Sequence, residues 1–316
     1  MRIFVTGING FIGHTLFEEV KSRDGFSVNG SVRNLKGDEK PFYESGNIDR
    51  NTEWISALNK VDVVVHLAAR AHVVRDSSAD PLSEFRKVNV DGTIQLASEA
   101  AAAGVKRFIF LSSIGVNGSV TDQPFTEDDT PNPNGPYAQS KLEAELRLKE
   151  VQKLTGMEIV IIRPPLVYGP NAPGNFGSLV RWVRKGVPLP LGAINNKRTF
   201  IAVDNLVDLI ITCMTHPDAK NQLFLAGDGE DISTTQLLKL VADAMGKKII
   251  LVPVPQFILS AGAVMLGKKQ NIDRLIGSLQ LDITKAQSLL GWTPPFSIAH
   301  CLSEYLKPEV SNDKSV

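Results

Sequence analysis

The run Thr6-Gly7-Ile8-Asn9-Gly10-Phe11-Ile12-Gly13 constrains this chain more than any other segment. It follows an apolar, β-prone stretch and opens a helical pattern, with glycines at i, i+3 and i+6. In a strand–turn–helix unit the first glycine permits the tight turn, the second lets backbone N–H groups approach a pyrophosphate, and the third allows close helix packing. The helix N-terminus itself favours an anion. The arrangement therefore predicts a dinucleotide site, with Gly7, Asn9, Gly10, Phe11, Ile12 and Gly13 around the pyrophosphate.

The rest of the first half supports that start. Short apolar runs at 2–6, 28–32, 61–67, 107–112 and 158–163 alternate with helical patterns at 11–22, 52–58, 84–103 and 136–154. This is the sign of βαβ units and a parallel sheet covered on both faces. The expected fold is α/β, a Rossmann-type doubly wound parallel sheet, with its ligand at the carboxyl ends of the strands. After Arg163 the texture shifts to Pro, Gly and Asn clusters, so residues 1–164 read as the dinucleotide-binding domain and 165–316 as a smaller, mainly substrate-binding region. Segments at 200–204 and 222–225 are expected to return strands to the first sheet. The apolar stretch 257–266 is too short to span a bilayer, which needs roughly 20 residues, and reads as a buried helix. The polar tail after Pro308 is expected to fray.

Composition excludes several classes. Lys plus Arg number 34 and Asp plus Glu number 34, so zero net charge gives no electrostatic argument for nucleic acid or an anionic membrane. Cys213 and Cys301 stand far apart in apolar surroundings, which suggests neither a disulfide framework nor a metal site, and a reducing cytoplasm is the expected location. The opening Met-Arg-Ile-Phe-Val-Thr-Gly lacks signal-peptide features. His14, His72, His216 and His300 lack metal-ligand spacing, and His66 reads as structural or near the cofactor. No metal is expected.

The cofactor's identity turns on the end of the second strand, where an NAD site normally offers an acidic residue to the ribose diol. Here the strand ends Ser31-Val32 and the next residue is Arg33, which suits a 2'-phosphate. NADP(H) is favoured, with NAD(H) as the alternative. Asn47 and Ile48 are placed to frame the adenine.

Tyr137 and Lys141 are four apart at the start of a helical pattern, so they share one face. Lowering a tyrosine from about 10 to about 7 requires roughly 4 kcal/mol, which a neighbouring ammonium and a cationic cofactor ring can share. Upstream, a strand ending Phe110-Leu111-Ser112-Ser113 delivers the Ser113 hydroxyl to the same sheet edge.

With these pieces the chain resembles the extended short-chain dehydrogenases/reductases, in particular their nucleotide-sugar epimerase/dehydratase group. Further matches are His66-Leu67-Ala68-Ala69, Asn89 to Thr93, Arg163-Pro164, Val167 to Pro170, Arg198 to Asp204 and Leu290-Gly291-Trp292, and the resemblance covers nearly the whole chain. It implies that Ser113, Tyr137 and Lys141 are catalytic and that Leu67, Ala68, Ala69, Asn89 and Pro164 border the cofactor. It also implies that Asn175, Phe176, Arg198 and Arg274 meet the sugar diphosphate, and that the protein pairs as a homodimer through the helices carrying Tyr137 and following Asn89. His72 and Arg75 are placed to border the sugar.

Two departures narrow the chemistry. Family dehydratases carry Thr-Asp-Glu where this chain has Ser113-Ile114-Gly115, and neither Ile nor Gly moves a proton, which rejects 4,6-dehydration. Asn117-Gly118 replaces the epimerases' Tyr-Gly. The chain looks most like the bacterial branch that reduces UDP-4-keto-6-deoxy-N-acetylhexosamines for surface polysaccharide. The expected reaction is hydride transfer at carbon 4 of such a UDP-sugar. The alternatives are a UDP-hexose 4-epimerase with retained NAD and a non-catalytic dinucleotide sensor.

Overall fold

The computed structural model describes residues 1–35, 42–71, 80–265 and 269–307. Its main sheet is parallel throughout, in the order β3 (Tyr43–Glu44), β2 (Ser27–Val32), β1 (Arg2–Thr6), β4 (Val63–His66), β5 (Arg107–Leu111), β6 (Glu158–Arg163) and β9 (Leu223–Leu225). Strands β4 and β5 are buried along their whole length, which is why they read as continuous apolar runs rather than alternating ones. One face packs against α1 (Phe11–Lys21) and, farther along the chain, α6 (Val203–Thr215), and its core includes Leu16, Leu206 and Ile210. The other face packs against α3 (Thr93–Ala102) and α4 (Pro136–Thr155) through Leu96, Ala144, Leu148 and the wholly buried Trp54. Strand order reverses between β1 and β4, so the glycine turn and the residues after His66 flank the switch point where an α/β sheet binds ligands.

Helix α3 does not begin at residue 84. The helical stretch from 81 to 102 consists of α2 (Pro81–Arg86), a π-helical turn over Lys87–Gly92, and α3. This widened turn carries Asn89. The helix expected over 52–58 is instead a series of turns: Trp54 and Leu58 share the i, i+4 spacing and are both buried, but positive φ at Lys60 ends the segment.

A second core lies beyond β6. It is built on a small sheet in the order β10 (Asp231–Ile232), β8 (Arg198–Ala202), β7 (Leu166–Tyr168), together with α5 (Gly174–Lys185), α7 (Thr234–Ala244) and α11 (Ile298–Tyr305). The strand expected to return near 200–204 therefore joins this small sheet, whereas the one near 222–225 is β9 at the main sheet's edge. The remaining helices are α8 (Gln256–Met265), α9 (Lys269–Ile276) and α10 (Thr284–Leu290). Helix α8 is not buried: Phe257, Ile258, Val264 and Met265 are all exposed. No helix among the described residues is long and apolar enough to cross a membrane.

Candidate active site

The glycine turn is built for close approach. Gly7 has φ of +70°, and a Cβ there would lie 3.1 Å from the Ala68 backbone; a Cβ on Gly13 would come within 2.2 Å of the Gly7 carbonyl oxygen. The first turn of α1 has no side-chain cap at Gly10, so its N–H groups are left to an incoming anion. At the end of β2 the buried Ser31 hydroxyl has no hydrogen-bond partner among the described residues, and Ser31's carbonyl accepts from Ile8 N–H. Crowding that only glycine satisfies, an uncapped helix end and an orphaned hydroxyl beside them fit a dinucleotide. Asn9 and Gly10 are exposed at this edge, Leu67, Ala68 and Ala69 are half-buried next to it, and Arg33 is exposed where β2 ends. Ile48 is buried against Gly92, where an added Cβ would meet its side chain at 2.5 Å; Asn47 is exposed beside it.

Beneath the turn, Thr6, His66 and Thr93 form a chain of hydrogen bonds. Thr93 Oγ1 donates to Asn89 O (2.8 Å) and so must accept from His66 Nε2 (2.9 Å), which leaves His66 Nδ1 to accept from Thr6 Oγ1 (2.6 Å). Burial, with the charge of Lys141 second, lowers His66 from 6.5 to about 3, so the ring is neutral. An unfolded chain protonates this histidine below 6.5 and the folded one does not, so stability falls as pH drops from 6.5 towards 3. The loss is about 2 kcal/mol between pH 6.5 and 5. Urea unfolding of His66→Gln should lack this component, and identical pH dependence in both proteins would contradict it.

Asn89, expected on the cofactor side, spends its amide elsewhere. Its Nδ2 donates to Arg70 O (3.1 Å) and Ser140 Oγ (3.0 Å), and its Oδ1 accepts from Arg70 N (2.8 Å). It ties the segment after β4 to α4. His72 and Arg75 lie outside the described residues.

Helix α4 starts on Gly135 and Pro136, which brings half-buried Tyr137 into its first turn and buries Lys141 a turn later. Lys141 Nζ donates to Leu111 O (2.8 Å) and stands over the Phe110 ring at 4.4 Å. Ser113 follows β5; its Oγ accepts from Gly115 N (3.1 Å), and a Cβ on Gly115 would touch Ala138, the neighbour of Tyr137, at 3.3 Å. Ile114 N donates to the carbonyl of buried Pro164 (2.9 Å), fixing that loop from behind. Serine loop, tyrosine and lysine thus meet at the carboxyl edge of β5. Burial pushes Tyr137 up to about 12, so it carries its proton at neutral pH. Burial also lowers Lys141 to about 7, with Glu145 opposing that shift.

Behind these groups lies a network that the sequence did not announce. Glu145, one turn beyond Lys141, accepts from Arg163 Nε (2.9 Å) and Nη2 (2.5 Å) and from Ser112 Oγ (2.5 Å), and Arg163 Nη1 donates to Asn117 Oδ1 (2.8 Å). All four residues are buried. The Asn117 departure is thereby explained: its Oδ1 receives the guanidinium, while its Nδ2 donates to Thr126 O (3.0 Å). The signal available beforehand was Glu145 four residues after Lys141, on the same helix face.

On the far side, Arg198 is buried and donates to Gly277 O (2.8 Å), while Arg274 is exposed on α9. Burial first and the Arg274 charge second lower Arg198 to about 10, so the two guanidiniums are within electrostatic reach. A dianion between them would relieve the repulsion. Asn175 is exposed at the start of α5, but Phe176 is a core residue, its ring 5.6 Å from that of buried Tyr168. Its side chain faces the second core, which corrects its expected place at the sugar diphosphate. An open cavity of about 610 Å³ lies along 117–134, between Ser113 and Tyr137 in sequence, but neither of them lines it. No cluster of metal-ligating residues occurs among the described residues.

Parallel sheet, glycine turn at the switch point and a Tyr–Lys helix beside a strand-end serine define an extended short-chain dehydrogenase/reductase fold. The chain belongs to the NAD dependent epimerase/dehydratase family, whose model matches residues 3–227. It is 44% identical over 297 residues to a UDP-glucose 4-epimerase of Vibrio cholerae, covering 93% of this chain and 90% of that protein. Among solved structures it is similar to a UDP-N-acetylglucosamine 4-epimerase from Bacillus cereus, with TM-score 0.80, 26% identity and coverage of 97% and 98%. A UDP-glucose 4-epimerase from Thermotoga maritima with UDP-glucose gives TM-score 0.77, 26% identity and coverage of 96% and 98%.

Proposed function

We propose that this protein transfers hydride at carbon 4 of a UDP-linked sugar, and that it reduces a UDP-4-keto-6-deoxy-N-acetylhexosamine with NADPH. The observation that carries the reading is the convergence of Tyr137, the Ser113 loop and Lys141 at the carboxyl end of β5, on the same sheet edge as the glycine turn. A bound nicotinamide supplies the hydride. Tyr137, protonated at neutral pH, gives its proton to the carbon-4 oxygen, and Ser113 hydrogen-bonds the same oxygen. Lys141 brings positive charge to the emerging phenolate. Gly7 to Gly13 cradle the pyrophosphate, with Leu67, Ala68, Ala69 and Pro164 along the cofactor and Asn47 and Ile48 at the adenine. Arg33 takes the 2'-phosphate, Arg198 and Arg274 the substrate diphosphate, and Asn89 acts by holding the Arg70 backbone and α4. Relatives described as UDP-sugar 4-epimerases support a UDP-sugar.

The second reading is a UDP-hexose 4-epimerase, favoured by the 44% identity to the Vibrio protein of that description. The two share the hydride step and differ in cofactor exchange. The test is to identify the nucleotide released on denaturation and to follow nicotinamide absorbance with NADPH or NADH and the keto sugar. Stoichiometric NADPH consumption is expected, with Arg33→Ala raising KM for NADPH by about tenfold or more and leaving NADH unaffected. Tightly retained NAD, with UDP-hexoses interconverted and no net absorbance change, would establish the epimerase instead.

A further inference from the structure

Helix α8 wears its apolar stripe on the outside. Phe257, Ile258, Ala261, Val264 and Met265 are exposed, Phe257 at 73% and Met265 at 88%, while Leu259 packs on the second core. Those positions follow i, i+1, i+4, i+7 and i+8, one continuous face of an α-helix. The chain leading into the helix extends the patch. Leu251 pairs with Leu189 and packs inward, which leaves its neighbours Ile250 and Val252 exposed.

The segments that lead to this face carry basic side chains, with Asp243 before them and Asp273 on α9 as the flanking acids. On the segment leading into the helix Lys247 and Lys248 are exposed and residues 245–265 hold no Asp or Glu; residues 171–203 include the exposed Arg181, Arg184 and Lys185 and likewise no acid. The two stretches meet, since Lys247 Nζ donates to Arg184 O (3.1 Å) at the end of α5. A chain with zero net charge thus joins two basic segments, one of which runs on through exposed Ile250 and Val252 into the apolar helix.

We propose that this face docks the protein on the surface of an anionic lipid bilayer. Protruding apolar side chains on a helix, bordered by lysine and arginine, suit an interface in which the helix lies in the plane of the headgroups. Basic side chains near such a surface each add roughly fivefold to the partition coefficient. A second copy of the chain fits the face poorly, because a twofold contact would set the same lysines and arginines against themselves. The docking is independent of which sugar the active site takes.

Flotation of the full-length protein tests the proposal, using vesicles of phosphatidylglycerol mixed with phosphatidylcholine against vesicles of phosphatidylcholine alone. Binding to the anionic vesicles, weakened by added salt, is expected. The variant Lys247→Ala/Lys248→Ala should lower partitioning by about 25-fold. Phe257→Glu/Met265→Glu should lower it by about tenfold or more, with turnover and thermal midpoint unchanged in both. No flotation of the wild type, or flotation that both variants leave intact, would overturn the proposal. So would light scattering that shows a dimer dissociated by Phe257→Glu/Met265→Glu, since a second copy would then cover the face.

Discussion

Replacing Tyr137 with Phe is expected to lower kcat by about 10²–10⁴-fold and to leave dinucleotide affinity nearly unchanged. The ring keeps its edge contact with Phe85, at 6.0 Å between centroids, so the first turn of α4 retains its packing. What is lost is the one group that burial holds protonated at neutral pH, at about 12, beside the Ser113 loop. Lys141 cannot substitute, because its Nζ is engaged by Leu111 O and its charge diminishes above about 7. Steady-state turnover and a fluorescence titration with the nicotinamide dinucleotide separate the two effects. Wild-type kcat in the Phe variant would remove Tyr137 from the reaction.

The second large effect is on stability. Glu145→Ala leaves the Arg163 guanidinium, only 4% exposed, without its carboxylate, and removing one partner of a buried ion pair costs about 3–5 kcal/mol. Ser112 Oγ loses its acceptor in the same change. The double variant Glu145→Leu/Arg163→Met should recover part of that loss, because no buried charge is then left alone. Urea unfolding measures all three proteins. A single variant within about 1 kcal/mol of wild type would show that water or rearrangement satisfies Arg163.

Much of the site was legible because its parts are local in sequence. Strands 2–6 and 158–163, the glycine turn and the Tyr–Lys spacing need only the near neighbours of each residue, and the structure places β1 and β6 at those bounds. What failed depended on what lies opposite. The apolar run at 257–266 suggested a helix but not whether anything covers it, and the short apolar pattern that suggested a strand near 200 did not say which sheet it joins. Phe176 was assigned to the substrate by resemblance, whereas packing against Tyr168 takes its ring into the core. Asn117 was visible as a departure, yet its reason sits 46 residues away in Arg163. The turns at 52–58 mimic a helix because Trp54 and Leu58 alone carry the i, i+4 signal.

The central claim, that Tyr137 and its neighbours serve hydride transfer at carbon 4, is tested most directly by isotope transfer. Turnover of a UDP-4-keto-6-deoxy-N-acetylhexosamine with NADPH deuterated on the transferable position, analysed by NMR of the product, should place the deuterium on carbon 4. Product whose deuterium lies on another carbon, or product formed with none, would contradict the account.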